Sequence, residues 1–171
     1  MRFLAGSIVC ALLTGCQTVP PAPQDIGPPD AISFEVKSWG APIHSWTFAA
    51  DGSATSIVRH SETGSPRAPY TLEHRRFALA SETVARLGAL AEDIPRPVPS
   101  DDHCHQRVTD AAYGTLSLSR DGKTEALPFY EGCYDAYYAP YLAKVKEIDA
   151  LVMAQSSMAR IERLEDPFEN D

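Results

Sequence analysis

The chain is poor in positive charge, with 15 Lys plus Arg against 23 Asp plus Glu and a formal net charge of −8. Nucleic acid is gripped through its phosphates by clustered Lys and Arg, and here the basic residues are scattered, so no nucleic-acid partner is expected. No apolar run approaches the roughly 20 residues that a membrane-spanning helix needs. Signature motifs of chemistry are lacking as well. There is no Gly-x-Ser-x-Gly nucleophile turn, no Gly-rich phosphate cradle, no His-Glu-x-x-His zinc helix and no Cys-x-x-Cys pair. An active site assembled from distant residues needs no motif, but nothing here names a catalytic residue or a cofactor, and none is expected. What is present is ordinary globular material: 171 residues, 44 % of them hydrophobic, which is enough for one domain.

The N-terminus carries an address. Met1-Arg2 supplies one positive charge, and an uncharged, mostly apolar run follows through Leu13, the make-up of a secretory signal. The run ends in Leu13-Thr14-Gly15-Cys16, which resembles the bacterial lipobox. That resemblance implies a type II signal peptide over residues 1–15 and a diacylglyceryl group on the Cys16 thiol. It also implies cleavage before Cys16 and acylation, of palmitate type, of the new amino terminus. Each buried methylene adds about 0.8 kcal/mol, so two or three chains anchor where one would not. The alternative is an ordinary secretory signal cut elsewhere, near Thr18, with Cys16 incidental. Gln17 is not the Asp that retains such proteins at the inner membrane of enteric bacteria, which favours the periplasmic face of the outer membrane. Loss of residues 1–15 removes Arg2 alone among charged residues and takes the net charge from −8 to −9.

Residues 17–31 hold five prolines and almost no hydrophobic pattern, which reads as a polyproline-like tether. From Ile32 the period becomes two, with Ile32, Phe34 and Val36 alternating with polar residues as in a half-buried strand. Gly40-Ala41-Pro42 breaks it. Further strands are predicted over 44–49 and 54–60, joined at Asp51-Gly52, and over 70–79. Ser81 is the natural N-cap of a helix over 82–93, which Pro95 stops. Residues 95–110 have no periodicity and read as a long surface loop. A second hairpin turns at Asp121-Gly122, and a long helix follows from 135 or 140, its stripe running from Tyr134, Tyr138 and Tyr141 to Val152. The stripe persists more weakly through Met158, Ile161 and Leu164.

The expected fold is α+β, an antiparallel sheet of meander and hairpin strands with two helices packed on one face. The expected divisions are 1–15 signal peptide, 16–31 lipidated Cys and tether, 32–156 compact domain, and 157–171 helical extension and acidic tail. Over residues 32–154 the body also resembles a family of small bacterial domains, frequently lipoproteins, with no assigned activity. The matching residues are Ile32, Phe34, Gly40, Pro42, Asp51 and Gly52, with Asp121-Gly122 in the second hairpin.

Of four cysteines, Cys10 leaves with the signal and Cys16 takes lipid, so Cys104 and Cys133 remain. In an oxidising periplasm such a pair is most simply a disulfide. The cluster Asp101-Asp102-His103-Cys104-His105 has ligand types suited to zinc or copper, with His103 and His105 first and Asp101 or Asp110 as third ligands; the bland alternative is a solvated loop. Five of seven tyrosines (Tyr130, Tyr134, Tyr137, Tyr138, Tyr141) lie within twelve residues. Tyr134, Tyr138 and Tyr141 match the buried stripe, leaving Tyr130 and Tyr137 as the expected exposed pair and candidate binding surface. His44, His60 and His74 stand alone on strands and read as surface or satisfied polar residues. Together these readings describe a lipid-anchored, non-catalytic binding or structural module with a membrane contact through Cys16 and an envelope protein partner. The rival reading is a small metal-binding or hydrolytic protein using the His103-Cys104-His105 loop.

Overall fold

The computed structural model describes residues 29–169. Cys16, the signal-like segment and most of the tether lie outside the described residues. The elements follow as β1 (Ala31–Ser38), β2 (Ala41–Ala49), β3 (Ser53–His60), β4 (Thr71–Ala78), α1 (Ser81–Glu92), β5 (Tyr113–Arg120), β6 (Lys123–Tyr130), α2 (Ala139–Met158) and β7 (Ile161–Glu165). All seven strands form one antiparallel sheet in the order β6-β5-β1-β2-β3-β4-β7. The fold is therefore α+β, with more sheet than helix.

Alternation makes the core. Ile32, Phe34 and Val36 of β1 are buried, as are Trp46 and Phe48 of β2, Leu116 and Leu118 of β5, and Leu127 and Phe129 of β6. Phe34 faces Trp46 on one neighbour and Leu116 on the other, and its ring stacks on Trp46 at 5.5 Å and Phe129 at 5.2 Å. Each such side chain contributes about 1.5–3 kcal/mol by leaving water. From α2, Tyr141, Val145, Ile148 and Val152 are fully buried, the 4-3-4 spacing expected of one helix face. Four polar contacts register this helix on the sheet. Asp149 Oδ1 accepts from Trp46 Nε1 at 2.8 Å and pairs with His44 Nε2 at 2.8 Å. The Ser56 and Ser156 hydroxyls meet at 2.7 Å, and the Tyr141 hydroxyl donates to Pro128 O at 2.8 Å.

Four local expectations are corrected. Residues 41–43 belong to β2, and the turn is Trp39-Gly40. Pro42 enters the strand because the pairing shifts between Val36 and Lys37, and such an irregularity tolerates a residue without an N–H. Ser81 is the first residue of α1 and Ala80 stands at the cap, with no side-chain cap bond. Tyr134 precedes α2, which starts at Ala139 with Pro140 in its first turn, and so it is exposed instead of continuing the buried stripe. The expected helical extension is a strand. Ala159 is extended, the chain reverses, and β7 adds its backbone to the free edge of β4, pairing Leu72 with Glu165 and His74 with Arg163.

Antiparallel order sorts the loops to two ends. Asp30 and the turns at Asp51-Gly52 and Asp121-Gly122 share one end, where Asp30 N donates to Ser119 O and Asp121 N donates to the Asp30 carboxylate, both at 2.8 Å. The Trp39-Gly40 turn, residues 61–70, residues 104–112 and residues 131–138 share the other. Strands of eight residues separate the two ends by roughly 25 Å.

Candidate functional site at the aromatic end of the sheet

The site is built on a stapled loop. Cys104 and Cys133 form a disulfide with Cα atoms 5.7 Å apart. Beside it the loop runs antiparallel to the segment after β6, with Val108 N donating to Gly132 O at 2.9 Å and Tyr134 N to Gln106 O at 2.9 Å. Gly132 is required there, since a Cβ would lie 2.4 Å from Val108 O and 2.6 Å from the Tyr130 ring. The buried Asp135 finishes the junction, its carboxylate accepting from His105 N and Gln106 N at 2.8 Å each. These two backbone donors, His105 first, hold its pKa below the usual carboxylate value. Aspartate suits this place because two acceptor oxygens meet two consecutive N–H groups.

Around the staple the aromatic side chains divide. Tyr138 and Tyr141 are fully buried, and the Tyr138 hydroxyl accepts from Tyr130 N at 2.8 Å. Tyr137 is 45 % exposed, as expected, with its hydroxyl donating to Ser100 O at 3.0 Å. Tyr130 differs from expectation. It is 7 % exposed, its hydroxyl donates to Val108 O and Thr109 O, and Arg107 lies over its ring. The loop it helps to pin is the loop that buries it. The exposed partners are instead Tyr134, Tyr113 and Trp39, so Trp39, Tyr113, Tyr134 and Tyr137 stand at one end of the sheet.

Trp39 was not among the residues singled out. Its signal is a tryptophan immediately before glycine between two alternating stretches, where a two-residue turn calls for Asn or Asp. The Tyr113 hydroxyl accepts from Gly40 N at 3.2 Å and ties the turn to β5. Arg67 from the 61–70 loop lies over the Trp39 ring at 5.0 Å.

The metal arrangement does not assemble on the expected residues. His103 and His105 are exposed, and the Cys104 sulfur is bonded to Cys133. Among the described residues the converging His, Cys, Asp or Glu group is Cys104, Cys133 and Asp135, within 4.8 Å. Both of its sulfurs are consumed by the disulfide and its carboxylate by two N–H donors, which leaves no ligand set. Of the other histidines, His44 pairs with Asp149 and His74 with Glu165, which also takes Arg163, while His60 is exposed at the end of β3. No protein-family model matches the chain, and no curated protein or solved structure matches it either.

Proposed function

We propose that the chain is a lipid-anchored module of the bacterial envelope, tethered through Cys16 at the periplasmic face of the outer membrane. It acts by binding another envelope component, without catalysis. In this reading both helices cover one face of the sheet and the tether enters at the Asp30 end. One observation carries it: Asp30, which follows the proline-rich segment, lies at one end of the strands, while the exposed aromatic residues Trp39, Tyr113, Tyr134 and Tyr137 gather at the opposite end, beside a loop fastened by a disulfide. Tyrosine and tryptophan give large rigid contact area with a polar tip at little entropic cost, which is why they anchor interfaces. A fixed loop lowers the ordering cost of binding further. The acidic body is repelled by an anionic membrane surface, so the aromatic end faces outward from the anchor.

The experiment is cross-linking in intact envelopes of a strain carrying the native chain or Tyr134→Ala/Tyr137→Ala. A discrete cross-linked partner, lost in the double variant while the melting temperature holds, supports the reading. An identical cross-link pattern in both strains rejects the aromatic end as the contact surface.

A further inference from the structure

Two hairpin turns in this chain are built alike and filled differently. In each, the first turn residue is left-handed and glycine follows: Asp121 at φ 49° with Gly122 at 73°, and Trp39 at φ 53° with Gly40 at 80°. Asp takes that position readily because its short side chain bonds locally, whereas a bulky residue held there is strained. Burial does not repay this at Trp39, which keeps 56 % of its surface in solvent. Strain without packing return points to a role for the side chain itself.

The Trp39 ring walls a concavity of about 200 Å³ together with Thr109, Asp110, Tyr113 and Tyr130. Its shape is set in advance. Tyr113 is tied to Gly40, Tyr130 to the carbonyl of Thr109 at 2.8 Å, and the disulfide holds the loop that brings Asp110. The charges narrow the ligand. Guanidinium groups already lie over two of the rings, Arg67 at 5.0 Å from Trp39 and Arg107 at 4.4 Å from Tyr130, so an ammonium ligand meets like charge. An anion meets the negative charge of Asp110, one of the lining residues. A neutral ligand with C–H faces for the rings and hydroxyls for the polar lining residues Asp110 and Thr109 carries no charge to conflict with either.

We infer that this concavity binds a saccharide, one pyranose ring lying against Trp39 and Tyr113 with its hydroxyls directed to Asp110 and Thr109. The inference deepens the reading above and rests on it for the chain's place in the envelope. An open groove the size of one ring suits a unit of a longer glycan better than a free small molecule, which pockets enclose.

Isothermal titration of the full-length chain with a β-1,4-linked N-acetylglucosamine tetramer, and with the matching glucose tetramer, tests the site. Wild type is expected to bind at least one of them saturably. Trp39→Asn is expected to lose about tenfold or more in affinity, the effect of removing an anchoring aromatic, with a melting temperature equal to or above wild type because Asn suits the turn. No binding of either oligosaccharide by wild type, or equal affinity in Trp39→Asn, overturns the site. If saccharide binding fails while the Tyr134- and Tyr137-dependent cross-link persists, only this inference falls. If both fail, the aromatic end is rejected as the contact surface as well.

Discussion

Ser56 of β3 and Ser156 of α2 hold each other's hydroxyl at 2.7 Å in the buried seam between sheet and helix. They are 2 % and 0 % exposed. Arg75 Nη1 donates to the Ser156 carbonyl at 3.0 Å, so the same residue also closes the end of the helix. A buried hydroxyl is tolerable only with a partner, and removing one serine strands the other. Ser156→Ala is expected to cost about 1–3 kcal/mol, and Ser56→Ala/Ser156→Ala less than the sum of the single changes. Urea denaturation of the three variants gives the coupling; strict additivity would mean the pair is satisfied some other way.

The disulfide closes a loop with a sequence separation of 29 residues. In the chain-entropy model a closure of that length contributes about 3.5 kcal/mol, through the unfolded state. Cys104→Ser/Cys133→Ser is therefore expected to melt well below wild type. It should also lose order first in residues 104–112, because Asp135 and the Val108 to Gly132 bond hold that loop only from one side. Amide hydrogen exchange on the reduced protein reads this directly, and unchanged protection of Val108 would refute it.

Asp135 makes stability depend on acid. Its pKa is depressed from 3.8 by the His105 and Gln106 N–H groups, so the folded chain favours the charged form. That contribution is present above the unfolded value and is lost as pH falls through the lower folded value. The melting temperature is expected to drop below about pH 4, and Asp135→Asn to flatten part of that drop while lowering the melting temperature at neutral pH. Superimposable acid limbs for the two proteins would show that other carboxylates govern it.

The period-two stretches at Ile32, Phe34 and Val36, the Asp121-Gly122 turn and the cysteine pair were legible because each is a local pattern with one structural outcome. The end of α2 was not. Met158, Ile161 and Leu164 are three residues apart, a spacing that fits both a fading helical stripe and a short strand, and only the free edge of β4 decides between them. Tyr130 misled for a related reason. It falls off the helical stripe of Tyr134, Tyr138 and Tyr141, which suggests exposure, but the stapled loop folds back over it, and that contact joins residues 21 and 22 positions apart. The site's leading residue, Trp39, lay hidden in what reads as a Gly-Ala-Pro break, because the pairing shift that admits Pro42 to the strand is visible only in the register.

Tyr138 and Tyr141 make the alkaline limb. Burial is the main cause that pushes both phenols above the ordinary value of 10, and for Tyr141 the neighbouring Tyr138 adds to it. A raised phenol stays neutral in the fold and ionises more readily once unfolded. The stability this holds is thus complete below about pH 10 and is lost as pH rises from there toward the folded value. Tyr141→Phe cannot ionise, so its melting temperature is expected to fall less steeply above about pH 10 than that of wild type. At neutral pH the same variant loses the bond to Pro128 O at 2.8 Å, worth about 0.5–1.5 kcal/mol, and starts from a lower melting temperature. The two curves therefore converge as pH rises. Curves that stay parallel would show that Tyr141 ionises no less readily in the fold than in the unfolded chain, and that its burial is not what sets the alkaline limit.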